Sequence, residues 1–239
     1  MLEVESGARV LPFKRPSQER PVCQRSDDPR FRMLVGEAAW ARLPAAVRSR
    51  FGKHIGNGQS VSYEGETIEC RISRIGLLLA RALKIIGAPL PLSTDVEVPA
   101  AVLVTEDAAW RGQFWTRIYG RRRGFPQVIH SSKRFAGPTG LEEYVGCGFG
   151  IALRCEVENK ALHFVSHHYF FRCAGVRLRI PHFLDPGRLR VSHIDCNHGW
   201  FAFVLQLEHR WAGELIHQVA MFHEAGANLT PINEGGRHG

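Results

Sequence analysis

The chain has six cysteines but no CxxC pair among them, so neither a zinc ribbon nor a redox dithiol is written into it. It has no apolar run near the roughly 20 residues that a spanning helix needs. Its first residues, MLEVESGARVLPFKRP, bring acids early and no long apolar core, so no secretory signal is expected. No GxGxxG follows a strand pattern, so no dinucleotide cofactor is expected, and none of any other kind is marked. RNP-like aromatics, zinc-finger spacing and helix-turn-helix signals are missing too, and a nucleic-acid partner is not expected. Lysine is scarce, so arginine carries most of the formal charge of +8. These absences lead to the expectation of a basic, cytoplasmic protein whose cysteines are free, mostly buried thiols.

What is present is one domain's worth of chain. With 239 residues, 44% of them hydrophobic and 23% charged, it can bury a substantial core. Residues 1–27 and 225–239 are polar and aperiodic and read as disordered tails around a single domain at 28–224. Asp28-Pro29 suits a helix start, followed by Phe31, Leu34, Val35, Ala38 and Ala39 at helical spacing. Pro44 ends that helix and starts another that stops near Gly52. Ser60–Ile72 alternates like a tight strand pair turning at Glu64-Gly65. Ser73 can cap a helix through Ile86 that Gly87 ends. It is apolar around most of its circumference, which favours burial against a sheet, with attachment to a membrane surface as the competing reading.

From Val96 the period becomes two. Nine strands are expected: Val98–Thr105, Gln113–Tyr119, Gln127–Phe135, Glu143–Glu156, Leu162–Phe171, Val176–Ile180, Leu189–Asn197, Trp200–His209 and Glu214–Phe222. The fold class is therefore α+β, a large curved antiparallel sheet or partly closed β-barrel with N-terminal helices. The central element is the hairpin Glu142–Phe171, turning at Glu158-Asn159-Lys160. One face of its first arm is bulky, and Gly146, Gly148 and Gly150 leave the other nearly bare. Such a row needs an occupant: a packed helix, a sheet bend or a ligand.

Several residues can carry chemistry. Trp115, Arg117 and Tyr119 share a strand face that could hold an acidic or aromatic ligand, could lie on the sheet exterior, or could pair Arg117 internally with Glu142 or Glu143. Lys133 could bind an anion, or lie in solvent near a turn. Glu142 and Glu143 point to opposite faces, so one at most reaches an interior. His193 and Asp195 share a face and His209 could join them, as an acid–base group or, less simply, around an ion. Otherwise these are structural histidines. The expected ligand-binding set is Trp115, Arg117, Tyr119, Lys133, Glu143, His193, Asp195 and His209, with no catalytic residue assigned and no metal. The leading reading is a module binding a small, partly apolar anion on the concave face. The alternatives are a His/carboxylate enzyme with a reductase partner, and a peripheral membrane protein.

A family resemblance runs along the chain. It is carried by Gly36-Glu37-Ala38-Ala39-Trp40 with Leu43-Pro44, Gly87-Ala88-Pro89-Leu90-Pro91-Leu92, Trp115-Thr116-Arg117-Ile118-Tyr119 and Ser132-Lys133. Leu141-Glu142-Glu143, Ser166 to Tyr169, Pro186-Gly187, His193 with Asp195, and His209 to Gly213 continue it. Over roughly residues 30–224 the chain resembles the bacterial family catalogued as domain of unknown function 4166. The resemblance implies a stand-alone domain or a module fused to a saccharopine-dehydrogenase-like reductase. It supplies no reaction, cofactor or site.

Overall fold

The computed structural model describes residues 27–56 and 59–226. Apart from Asp27, Ala225 and Gly226, the tails expected at either end lie outside the described residues.

Among the described residues eleven antiparallel strands dominate: β1 (Ser60–Ile72), β2 (Val98–Asp107), β3 (Gly112–Tyr119), β4 (Gln127–Arg134), β5 (Leu141–Gly146), β6 (Phe149–Glu158), β7 (Ala161–Cys173), β8 (Val176–Arg179), β9 (Arg188–Asp195), β10 (Phe201–His209) and β11 (Gly213–Glu224). Their order is β6-β5-β4-β3-β2-β1-β11-β10-β9-β7, and β7 pairs back onto β6. Ten strands thus close into a barrel and remove the edges an open sheet would expose. β7 manages this by changing partner: Leu162–Val165 pairs with β9, whereas Phe170–Cys173 pairs with β8, which hangs outside the ring.

The period of two decides what fills the barrel. Gln113, Trp115, Arg117 and Tyr119 of β3 turn inward, as do Ile129, Ser131 and Lys133 of β4 and Leu141 and Glu143 of β5. Opposite them stand Val191 and His193 of β9, Phe201, Phe203, Leu205 and Leu207 of β10, and Gln218 and Ala220 of β11. Side chains just fill an eight-stranded barrel; ten strands leave room over.

The two ends are closed differently. At one end, helices α1 (Arg30–Val35), α2 (Glu37–Ala41) and α3 (Ala45–Phe51) drive an aromatic plug into the barrel. Phe31 is fully buried, with ring centroids 5.2 Å from Phe51 and 6.0 Å from Phe164. At the other end, α4 (Arg74–Ala82) and a 3₁₀ turn (Leu83–Ile86) lie across the mouth. Ser73 caps α4 by accepting the Gly76 N–H at 3.0 Å and donates its own N–H to the Leu215 carbonyl of β11. Gly87, at φ +107°, ends the turn against the β5–β6 corner, where the Cys147 thiol reaches the Ile85 carbonyl at 3.6 Å. β11 and β5 lie half a circuit apart in the barrel, so the helix spans the opening as a lid. The Gln127 side chain ties down the return segment through the Ala88 and Leu90 carbonyls and the Leu92 N–H.

Four expectations are corrected. Ser60–Ile72 is one 13-residue strand, not a hairpin. Gly65 is there because a Cβ would strike the Met221 carbonyl of the neighbouring strand. Gly36, at φ +81°, breaks the first helix into α1 and α2. Glu143–Glu156 is two strands joined by a turn at Cys147 (φ +47°) and Gly148 (φ +81°), the mirror-image conformation that tight hairpins favour. The greasy helix is only half buried: Leu78 is 70% and Ile85 84% exposed, while Leu79, Leu83 and Ile86 face inward. No helix among the described residues is long and apolar enough to cross a membrane.

The glycine row has three separate explanations. At Gly146, φ +133°, a Cβ would meet the Ile86 carbonyl at the end of the lid. Gly148 is the turn, and at Gly150 a Cβ would press into the Phe170 ring. The row is packing at each position, although the Gly150 backbone also borders the cavity inside the barrel.

Candidate functional site

Between the lid and the middle of the barrel lies a cavity of about 250 Å³. A single water needs only about 10–15 Å³. Leu79, Leu83 and Ile86 roof it, Val145, Ile151, Leu189 and Leu207 wall it, and Tyr169 stands at one side with its hydroxyl donated to the Gly187 carbonyl at 2.8 Å. Ionisable groups are few on this lining: Arg117 and Glu143 on the floor, and Asp185 at the mouth. Asp185 is already engaged, accepting the Gly187 N–H at 3.1 Å.

The floor is an asymmetric charge cluster. Glu143 accepts from Arg117 Nη2 at 3.1 Å and from Lys133 Nζ at 2.9 Å. Arg117 Nη2 also donates to Ser131 Oγ at 2.6 Å. The Lys133, Glu143 and Arg117 side chains are 7%, 5% and 16% exposed, so the cluster is inside the protein. Lys133 lies 4.9 Å from the Trp115 ring centroid and 5.6 Å from that of Phe164, where the ring faces offset part of the lost hydration. Burial alone would raise the Glu143 carboxyl, but Lys133 and Arg117 outweigh it and hold it down at about 2. Burial lowers the Lys133 ammonium from its ordinary value, with Glu143 opposing the shift.

Two cations therefore share one carboxylate, and Arg117 has capacity left. Both of its bonds leave from Nη2, and its Nε is buried with no partner. A guanidinium has five donors and no acceptor, so it invites another anion. Below the floor, a smaller void of about 30 Å³ beside Trp115, Lys133, Phe203 and Gln218 continues the interior.

Of the expected set, Trp115, Arg117, Tyr119, Lys133 and Glu143 come together inside the barrel. The other three do not. His193 lies in the aromatic plug, stacked on Phe201 with centroids 4.7 Å apart and edge-on to Phe51, and neither ring nitrogen has a partner. Burial first, then the nearby Arg50 charge, pushes its imidazole down to about 3. Asp195 pairs with Arg50 at 3.4 Å at the plug end. His209 is at the opposite end, outside the cavity, beside Trp211. Among the described residues no three His, Cys, Asp or Glu side chains cluster as a metal site would require. Glu142 points outward, paired with Arg177 at 2.7 Å.

Ser131 and Gln218 were missed. Both were open to the alternation rule, Ser131 being two residues before Lys133 and Gln218 two before Ala220. The lid residues were open to helical spacing in the same way: Arg74 and Arg81, seven apart, mark one face of α4, and Leu79 and Leu83 lie opposite them.

The family model described as a domain of unknown function (DUF4166) matches residues 43–222. No curated protein and no solved structure matches the chain.

Proposed function

We propose that this chain, which belongs to the DUF4166 family, binds a small amphiphilic anion inside its barrel. The ligand's carboxylate or comparable oxyanion sits against Arg117, and its apolar body fills the space under the lid. One observation carries this reading: a buried guanidinium, paired to Glu143 but with an unpartnered Nε, at the floor of a mostly apolar cavity. An apolar ligand without charge would leave that donor unsatisfied, at a cost of about 1–3 kcal/mol. A strongly polar ligand would strand its groups against Leu79, Leu83, Val145 and Ile151. An acid with an apolar tail meets both demands, and a carboxylate can take two parallel N–H donors from one guanidinium.

Native mass spectrometry of the protein as purified tests this. The expected result is a mass increment that disappears on denaturation, is identified as an organic acid, and is absent from Arg117→Met. A neutral adduct retained in Arg117→Met would contradict it.

A His/carboxylate enzyme has less support. His193 touches rings rather than carboxylates, and it lies at the end of the barrel away from the cavity.

A further inference from the structure

The surface around the mouth is unlike the rest of the molecule. Most hydrophobic side chains exposed by more than half lie there: Ile75, Leu78 and Ile85 on the lid, Phe125 at the β3–β4 tip, Phe183 and Leu184 before β9, and Trp211 between β10 and β11; Val176 and Leu178 are bared on β8, outside the ring. Phe125 is 93% exposed. At the plug end, among the described residues, only Met33 is exposed by more than half, with Trp110 of the β2–β3 turn half exposed. A monomer's surface normally scatters its apolar side chains singly, and a ring of them around a cavity opening marks a contact surface.

The charge on that ring has one sign. The segments 74–92, 120–126, 171–184 and 210–213 contain no aspartate or glutamate at all. They carry Arg74, Arg81 and Lys84 on the lid, Arg121 to Arg123 at the β3–β4 tip, and further arginines near β8 and at position 210. Acids stand behind them: Asp95 accepts the Arg122 N–H at 3.2 Å, Glu97 faces Arg122 at 3.7 Å, Glu142 pairs with Arg177 at 2.7 Å, Asp185 faces His182 at 3.3 Å, and Glu208 and Glu214 flank the last segment. Exposed bulky apolar groups interleaved with cations fit an interface that is negative at its surface and hydrocarbon beneath it.

We infer that the mouth end docks onto an anionic lipid bilayer, seating the lid and the β3–β4 tip in the headgroup layer with the cavity opening toward it. This inference stands on the rim alone. It draws on the cavity reading only for what docking would deliver, a path for an amphiphile between bilayer and barrel that avoids water.

Vesicle sedimentation of the full chain decides it. The protein should pellet with equal mixtures of phosphatidylglycerol and phosphatidylcholine, not with phosphatidylcholine alone, and high salt should release it. Ile85→Glu and Phe125→Asp, both at exposed positions, should each weaken vesicle binding by about tenfold or more, because each removes an inserted apolar side chain. Met33→Glu at the far end should leave binding unchanged. Failure to bind either vesicle overturns the inference, as does Met33→Glu weakening binding as much as the rim variants. Rim-dependent dimers in sedimentation velocity without vesicle binding would identify a second copy as the occupant, and would also overturn it. Decanoate uptake from solution should be untouched by the rim variants. If decanoate fails to bind while vesicles still do, only the cavity reading falls.

Discussion

Glu143→Gln removes the one carboxylate between two interior cations while keeping its shape. Lys133 at 2.9 Å and Arg117 at 3.1 Å would lose their counterion where the side chains are 16% exposed or less. Removing one partner of a buried ion pair costs about 3–5 kcal/mol, since the other charge remains unpaired. Here the lower end applies, because Arg117 borders a cavity large enough to admit water. For a domain this size about 3 kcal/mol lowers Tm by roughly 6–12 °C. An added anion should then substitute for the lost carboxylate. Decanoate at about a hundred times its Kd contributes roughly 2.7 kcal/mol and should restore most of the loss. Lys133→Met makes the complementary case, leaving Arg117 and Glu143 balanced, so decanoate should barely stabilise it. Scanning calorimetry of the three proteins with and without decanoate is the assay. A Glu143→Gln protein that melts with the parent and ignores decanoate would refute the surplus-cation reasoning.

Three other outcomes follow from the same structure. The Glu143 carboxyl titrates at about 2 in the fold against 4.5 unfolded, so its stabilisation is complete above pH 4.5 and is lost as the pH falls toward 2; urea midpoints across that window should fall more steeply for the parent than for Glu143→Gln. His193 is held neutral down to about pH 3 against 6.5 unfolded, so it costs stability as the pH falls from 6.5 to 3. His193→Leu should flatten that stretch and gain about 1 kcal/mol net at neutral pH, relief of two unpaired nitrogens outweighing the lost ring stacking; a loss of stability would show that the ring contacts to Phe201 and Phe51 outweigh the unpaired nitrogens. Gly146→Ala should cost about 1–3 kcal/mol in denaturant melts, because φ is +133° and the new Cβ meets the Ile86 carbonyl, and a neutral result would show that the lid end is not packed there.

Much of the barrel was legible because strand alternation is a local signal. The inward row Trp115, Arg117, Tyr119 and the opposite facing of Glu142 and Glu143 both follow from period two, and the structure keeps them. A partly closed barrel was expected, but which strands complete the ring was not legible: that depends on β7 giving its two halves to β9 and β8, a pairing between distant segments that no local pattern encodes. Glycine misled at Gly65, which answers to the backbone of β11, whereas Gly146 meets the end of the lid, one of the occupants expected for its row. His193 and Asp195 do share a strand, but alternation says nothing of which end of a barrel a residue occupies. The lid's direction across the mouth was hidden for a similar reason, its two anchors being Leu215 and Cys147.

The most direct test of the central claim is calorimetric titration of the parent and Arg117→Met with decanoate and with decanol. The parent should bind decanoate in one-to-one ratio and prefer it to decanol by tenfold or more, about 1.4 kcal/mol. In Arg117→Met that preference should vanish, although the cavity and its apolar walls remain. Equal affinity of the parent for the acid and the alcohol would contradict an anion site at Arg117, and so would an unchanged preference in the variant.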